Sequence, residues 1–234
     1  MWVVTREAAE GQSLVDALKK RGHEAVCVPA IRREPLPWPD ALQPFGQASM
    51  FLTSLYAAKL AHKNVDHTAV PPVGWAALEP ATASYLRDCR LDPEVTAHGG
   101  SLALCDAVIA RSSHSRFLWP TSDAGLHTDE HAQVVQRMRN AGKSIDAYAV
   151  YTTIADPSLD DNLRLLQGRV RFHAVLFSPS AAHALYESIT RSGVQGLARV
   201  VTVGASTARA WPGAATQAPA GVDIADFVCS LEVP

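Results

Sequence analysis

Short apolar runs rich in β-branched residues alternate along this chain with longer stretches in which apolar residues recur at helical spacing. WVVT (2–5), EAVCVPAI (24–31), MFLTS (50–54), PVGWAAL (72–78), RFLWP (116–120), IDAYAVYTT (145–153), HAVLFS (173–178) and ARVVTVG (198–204) predict strands, and their number suggests parallel sheets. Between the first two lies GQSLVDALKKRG, which predicts a helix with Leu14, Ala17 and Leu18 on one apolar face and Gly22 as its C-terminal stop. Strand, helix and strand in repetition predict the α/β class. The stretch PLPWPDALQP (35–44) holds four prolines, too many for a central strand, and reads as a linker or surface turn.

The pattern also repeats. FLTSLYAAKL (51–60) aligns with LFSPSAAHAL (176–185), and AALEPATASYL (76–86) with VTVGASTARAW (201–211), both at an offset of 125. Two further pairs share an offset of 120: TAHGGSLALCDAV (96–108) with TQAPAGVDIADFV (216–228), and ALKKRGHEAVCVPAI (17–31) with RMRNAGKSIDAYAVY (137–151). Common registers predict two similar α/β lobes.

In both halves a hydroxyl-rich loop follows a strand. Thr53 and Ser54 correspond to Ser178 and Ser180, and Thr82 to Ser206 and Thr207. Each of these residues, taken alone, reads as a helix N-cap that needs no ligand. Open α/β sheets, however, bind ligands beyond the carboxyl ends of their strands, where helix N-termini present free N–H groups. Loops duplicated in register therefore predict a ligand between the lobes. Hydroxyls and amides with little fixed positive charge suit carboxylates or phosphates held without a metal.

Composition narrows the partners. The 21 Lys and Arg nearly balance the 23 Asp and Glu, so no global basic field draws the chain to nucleic acid or an anionic membrane. No apolar run approaches the ~18 residues of a membrane span, and the first residues lack a secretory leader pattern. Cys27, Cys89, Cys105 and Cys229 form no CxxC pair, which argues against a zinc knuckle or redox motif. They are expected to be reduced, mostly buried thiols of a cytoplasmic protein. His127-Thr-Asp-Glu-His131 matches the zinc pattern H-x-x-E-H, but no third ligand is evident and metal binding is not expected. His98-Gly-Gly lacks the accompanying nucleophile elbow of an acyl-transfer enzyme, and Gly204 belongs to no dinucleotide or Walker loop.

With these residues in view, the chain resembles the uroporphyrinogen-III synthase family. The segments that carry the likeness are VVTRE at the start, VYTTIADPSLDDNL (150–163), LFSPSA (176–181) and VGASTARA (203–210), in that order and spacing, and TAHGGSLALCDAV is similar to the family's short strand, glycine turn and helix. The resemblance implies two flavodoxin-like lobes joined by a two-strand hinge. One lobe would comprise 1–32 with 155–234 and the other 37–148, with 33–36 and 149–154 as hinge strands.

It also implies an activity, cyclisation of hydroxymethylbilane to uroporphyrinogen III with loss of water and inversion of ring D, in tetrapyrrole and haem biosynthesis. No cofactor is implied. Tyr151, in the family's V-Y-x-T stretch, would assist departure of the hydroxyl. Thr5, Arg6, Thr53, Ser54, Thr82, Ser178, Ser180, Gly204, Ser206 and Thr207 would contact the polycarboxylate. The expected state is a monomer, with direct transfer of substrate from hydroxymethylbilane synthase as the one protein partner.

Two positions depart from the family's pattern. Glu79-Pro-Ala-Thr82 stands where a glycine often begins the loop, placing a carboxylate where it is expected to repel the substrate, and Ala205-Ser206 replaces proline-threonine. Other readings are a divergent synthase of reduced activity, or a two-lobed protein that binds or senses a small anion without chemistry. A flavodoxin-like FMN carrier is disfavoured, because no T-x-T-G-N-T-like phosphate loop follows WVVT.

Overall fold

A strand covered by helices on both faces must be apolar on both sides, and the central runs of this chain have that character. The computed structural model describes residues 1–40, 45–65, 72–166, 171–219 and 221–231. Residues 41–44 of the proline-rich stretch, and position 220 in the repeated segment 216–228, lie outside them. The first half runs β1 (Trp2–Val4), α1 (Ala8–Lys20), β2 (Ala25–Cys27), β3 (Ile31–Pro35), β4 (Ser49–Leu52), α2 (Leu55–Val65), β5 (Gly74–Leu78), α3 (Ala81–Asp88), β6 (Val95–Ala97) and α4 (Ser101–Arg111). The second runs β7 (Arg116–Ser122), α5 (Asp129–Asn140), β8 (Ser144–Ala155), α6 (Leu159–Leu166), β9 (Phe172–Leu176), α7 (Pro179–Ser192), β10 (Leu197–Val203), α8 (Ala205–Ala210), β11 (Thr216–Ala218) and α9 (Ile224–Ser230).

Two compact units divide the chain, Met1–Arg32 with Ile154–Pro234, and Arg33–Thr153. The first holds a parallel sheet in the order β11-β10-β9-β1-β2. Its chain order, 2-1-3-4-5 from the β2 edge, is the flavodoxin-like winding. Alternate residues serve opposite faces. Val3, Ala174, Leu176 and Val200 pack with Leu159, Leu163 and Leu185 of α6 and α7, while Trp2, Val4, Val175 and Val201 pack with Val15, Leu18 and Val228 of α1 and α9.

The second sheet is ordered β3-β8-β7-β4-β5-β6. Met50, Leu52, Trp75 and Leu118 face α2 and α3, and Phe51, Ala76, Phe117 and Trp119 face α4 and α5. Leaving aside β3, this is the first sheet's order with the chain entering at a different strand. A βαβ segment followed by a βαβαβα segment occurs twice, and each sheet joins the short segment of one copy to the long segment of the other. A constant repeat offset is thereby reconciled with discontinuous units.

The duplication extends to single hydrogen bonds. After α1, Arg21 N–H donates to Leu18 O, Gly22 N–H to Lys19 O and His23 N–H to Leu18 O; after α5, Ala141, Gly142 and Lys143 donate to Met138, Arg139 and Met138, each 120 positions on. Gly22 and Gly142 take φ of +85° and +72°, the left-handed turn that ends a helix with little penalty only at glycine.

Two expectations need correction, and one strand was missed. The run 24–31 is not one strand: β2 ends at Cys27, and Ile31 begins β3, an edge strand of the other sheet that extends to Pro35, where a proline is tolerated because an edge has a side without ladder bonds. β11, three residues long, was not predicted as a strand. Of the four free cysteines only Cys105 is buried, and the others are half-buried.

Candidate functional site

In the first unit the carboxyl ends of three adjacent strands, β1, β9 and β10, carry Thr5, Ser178 and Gly204. Thr5 is 1% exposed, and its hydroxyl donates to the Val175 carbonyl at 2.7 Å, tying β1 to β9. Arg6 is exposed, with its guanidinium 4.6 Å over the Phe177 ring and Nε 3.7 Å from the Glu10 carboxylate. Beside it lies a cavity of about 330 Å³ between α1 and α9, with Leu14, Phe177 and Ile224 among its walls. Ser178 caps α7, its Oγ accepting from Ala181 N–H at 3.1 Å, and Ser180 follows, exposed. Gly204 begins α8 at φ +89° and ψ 150°, exposed together with Ser206, whereas Thr207 is buried in the first turn.

The second unit places Tyr151 and Ser54 together. Tyr151 lies opposite Ser122, the last residue of β7, and its hydroxyl donates to Ser54 Oγ at 3.2 Å, joining positions 97 residues apart. Ser54 Oγ also accepts from Ala57 N–H at 3.4 Å, so it caps α2. The Tyr151 ring, 8% exposed, meets Tyr56 edge-on at 5.0 Å. Thr53 accepts from Trp119 Nε1 at 3.1 Å, and Thr82 is buried in the first turn of α3.

Glu79, counterpart of Gly204, does not present a bare carboxylate. Arg87, two turns along α3, donates to it at 2.6 and 3.4 Å, and that guanidinium holds the carboxyl below the usual carboxylate range. Nor does the backbone there require glycine, since Arg90 alone of the described non-glycine residues has a positive φ.

Sequence reasoning passed over Arg87, Trp119 and Asp123. Asp123 accepts from the Thr152 hydroxyl at 2.7 Å, beside Tyr151, and its N–H donates to the Tyr151 carbonyl at 3.0 Å. An acidic residue three positions beyond the predicted strand 116–120 was the available signal. The H-x-x-E-H segment does not form one helical face, because His127 ends a 3-10 turn and Thr128 caps α5 before His131. Glu130 accepts from Ser101, and among the described residues no group of three or more His, Cys, Asp or Glu is placed to hold a metal ion.

A model of the family described as "Uroporphyrinogen-III synthase HemD" matches residues 12–218. The chain belongs to the uroporphyrinogen-III synthase family. Solved structures of the family share the fold. The Helicobacter pylori 26695 uroporphyrinogen-III synthetase is 12% identical with a TM-score of 0.65, covering 99% of each chain. A mutant uroporphyrinogen III synthase from the extremely thermophilic bacterium Thermus thermophilus is 15% identical with a TM-score of 0.53, covering 90% of this chain and 87% of that one. No curated protein matches the chain. None of the described helices is long and apolar enough to cross a membrane.

Proposed function

We propose that this chain cyclises hydroxymethylbilane to uroporphyrinogen III with loss of water and inversion of ring D, as a cofactor-free hydro-lyase acting as a monomer in the cytoplasm. The family match over residues 12–218 carries the reading. In this scheme the pyrrole nitrogen expels the terminal hydroxyl, leaving an azafulvene cation that closes through a spiro intermediate. The substrate supplies its own driving force, so the protein's task is to position the two ends. Such positioning contributes on the order of 7–11 kcal/mol.

Tyr151 assists departure of the hydroxyl. Ser180, Ser206, the N–H groups after Gly204 and Arg6 bind substrate carboxylates, charge-assisted contacts that need no metal. Ser178, Thr53, Thr5, Thr82 and Thr207, already capping, bonded or buried, hold the loops in shape. Handover from hydroxymethylbilane synthase fits a substrate that also closes without inversion when released.

The test is a coupled assay. Hydroxymethylbilane is generated in situ, micromolar protein is added, and type I and type III isomers are separated after oxidation. Type III is the expected product; type I alone would sink the assignment.

A further inference from the structure

Tyr151 is almost fully buried, and the group its hydroxyl meets at the carboxyl edge of the sheet is Ser54, which is half-buried. Two hydrogen bonds converge on Ser54 Oγ, from the Tyr151 phenol at 3.2 Å and from Ala57 N–H at 3.4 Å. A hydroxyl that accepts twice has used both lone pairs, and its own proton is the one left to point outward. The Tyr56 ring, edge-on to Tyr151 at 5.0 Å, and the Arg33 carbonyl, which accepts from the Tyr56 hydroxyl at 3.3 Å, pin the tyrosine from the side. The phenol proton therefore points at Ser54.

From this geometry we propose that Ser54 is the catalytic residue that touches the leaving hydroxyl, and that Tyr151 acts through it as proton source. The inference rests on the synthase reading. As the carbon–oxygen bond of the hydroxymethyl group breaks, the departing oxygen takes the Ser54 proton and leaves as water. Ser54 takes the Tyr151 proton in the same event. The pyrrole nitrogen lone pair becomes the second bond of the azafulvene, so the cation forms beside a phenolate that balances its charge. When the closed ring sheds a proton to regain its aromatic pyrrole, the same relay run backwards returns that proton to Tyr151. The Ala57 N–H holds Ser54 Oγ in place, and the N-terminus of α2 favours the negative charge that develops beside it.

Ser54→Asn is the decisive variant. Asparagine caps a helix as well as serine does and accepts from Tyr151, but its amide cannot pass a proton. Single-turnover type III formation should fall by about a hundredfold, a loss in the range for one acid–base group, while Ser54→Thr restores most of the rate. In mixtures of light and heavy water the wild-type rate should bow downward with deuterium content, as two protons move together, and the Ser54→Asn rate should change linearly. The Ser54→Asn, Tyr151→Phe double variant should be no slower than the slower single one. Wild-type rates in Ser54→Asn, or a linear isotope response in the wild type, overturn the relay and leave the synthase reading standing. A wild type that yields only type I overturns both.

Discussion

The two units build the same strand order and finish it with different edges. In the first, the loops after β9 and β10 are short, open and neutral: two exposed serines, one glycine at positive φ, and one threonine turned inward. In the second, the equivalent loops are internally occupied, Ser54 by the Tyr151 phenol and Glu79 by Arg87. Duplication preserved the scaffold down to helix-stop hydrogen bonds, where packing leaves little latitude, and let the carboxyl edges diverge. Under the proposed function the first edge binds carboxylates and the second carries the proton chemistry.

The largest expected effect that separates these roles comes from Tyr151→Phe. It should lower type III formation by about a hundredfold or more with little change in KM, because it removes a proton donor rather than a binding group. An unchanged kcat would return Tyr151 to a packing role and dissolve the contrast between the edges.

Next in size is Gly204→Ala. The φ and ψ there fall in a region nearly reserved for glycine, so the variant should lose about 1–3 kcal/mol in urea unfolding and raise KM. Nothing lies within 4 Å of where its Cβ would sit, so strain and not collision is the cause. The converse exchange, Glu79→Gly, tests the other edge. It frees Arg87 for a substrate carboxylate and should lower KM a few-fold with kcat unchanged; a higher KM would mean that the Glu79–Arg87 pair is part of the binding surface.

The smallest effect concerns a feature common to both units, a tryptophan ring tilted against a histidine. Trp2 lies 4.8 Å from His173, and Trp119 lies 5.2 Å from His131, and in each histidine one buried ring nitrogen has no partner among the described residues. Burial pushes both imidazoles below their ordinary value; for His173 the nearby N-terminus, Arg199 and Arg171 add to this, and for His131 the neighbouring His127 does. The unfolded chain then binds protons more readily than the folded one. Stability should be full above about pH 6.5 and decline as the pH falls below it. Urea midpoints between pH 7.5 and 5 should show the decline, and His173→Phe should flatten it more than His131→Phe, since His131 is half-buried.

How far the chain could be read in advance depended on the range of the physics involved. Central strands such as MFLTS and HAVLFS were legible because burial on both faces leaves an apolar run, and Gly22 and Gly142 because a helix stop is local. The boundary between β2 and β3 was not, since Val28-Pro29-Ala30 is as apolar as the strands it separates. Hydroxyls after strands were recognisable as a class, but nothing local distinguishes Ser180, in solvent, from Thr5, whose proton is committed to a carbonyl 170 residues away. The Tyr151–Ser54 and Glu79–Arg87 contacts are set by strand register and helix phase, which no single segment encodes.

The crossed assembly of the two copies also sets an order of events at the ribosome. Synthesis from the N-terminus delivers β1 and β2 first, yet Trp2 must wait for His173 before its strand gains a second neighbour. The strands β3 to β8 emerge consecutively in between and can complete their sheet at once. Translation thus favours the second unit as the first to fold, with the nascent β1–α1–β2 segment left half-built and exposed until the last third of the chain arrives. Damage to β9 should accordingly trap a chain whose middle is native and whose two ends are not, the form that chaperones and proteases would meet.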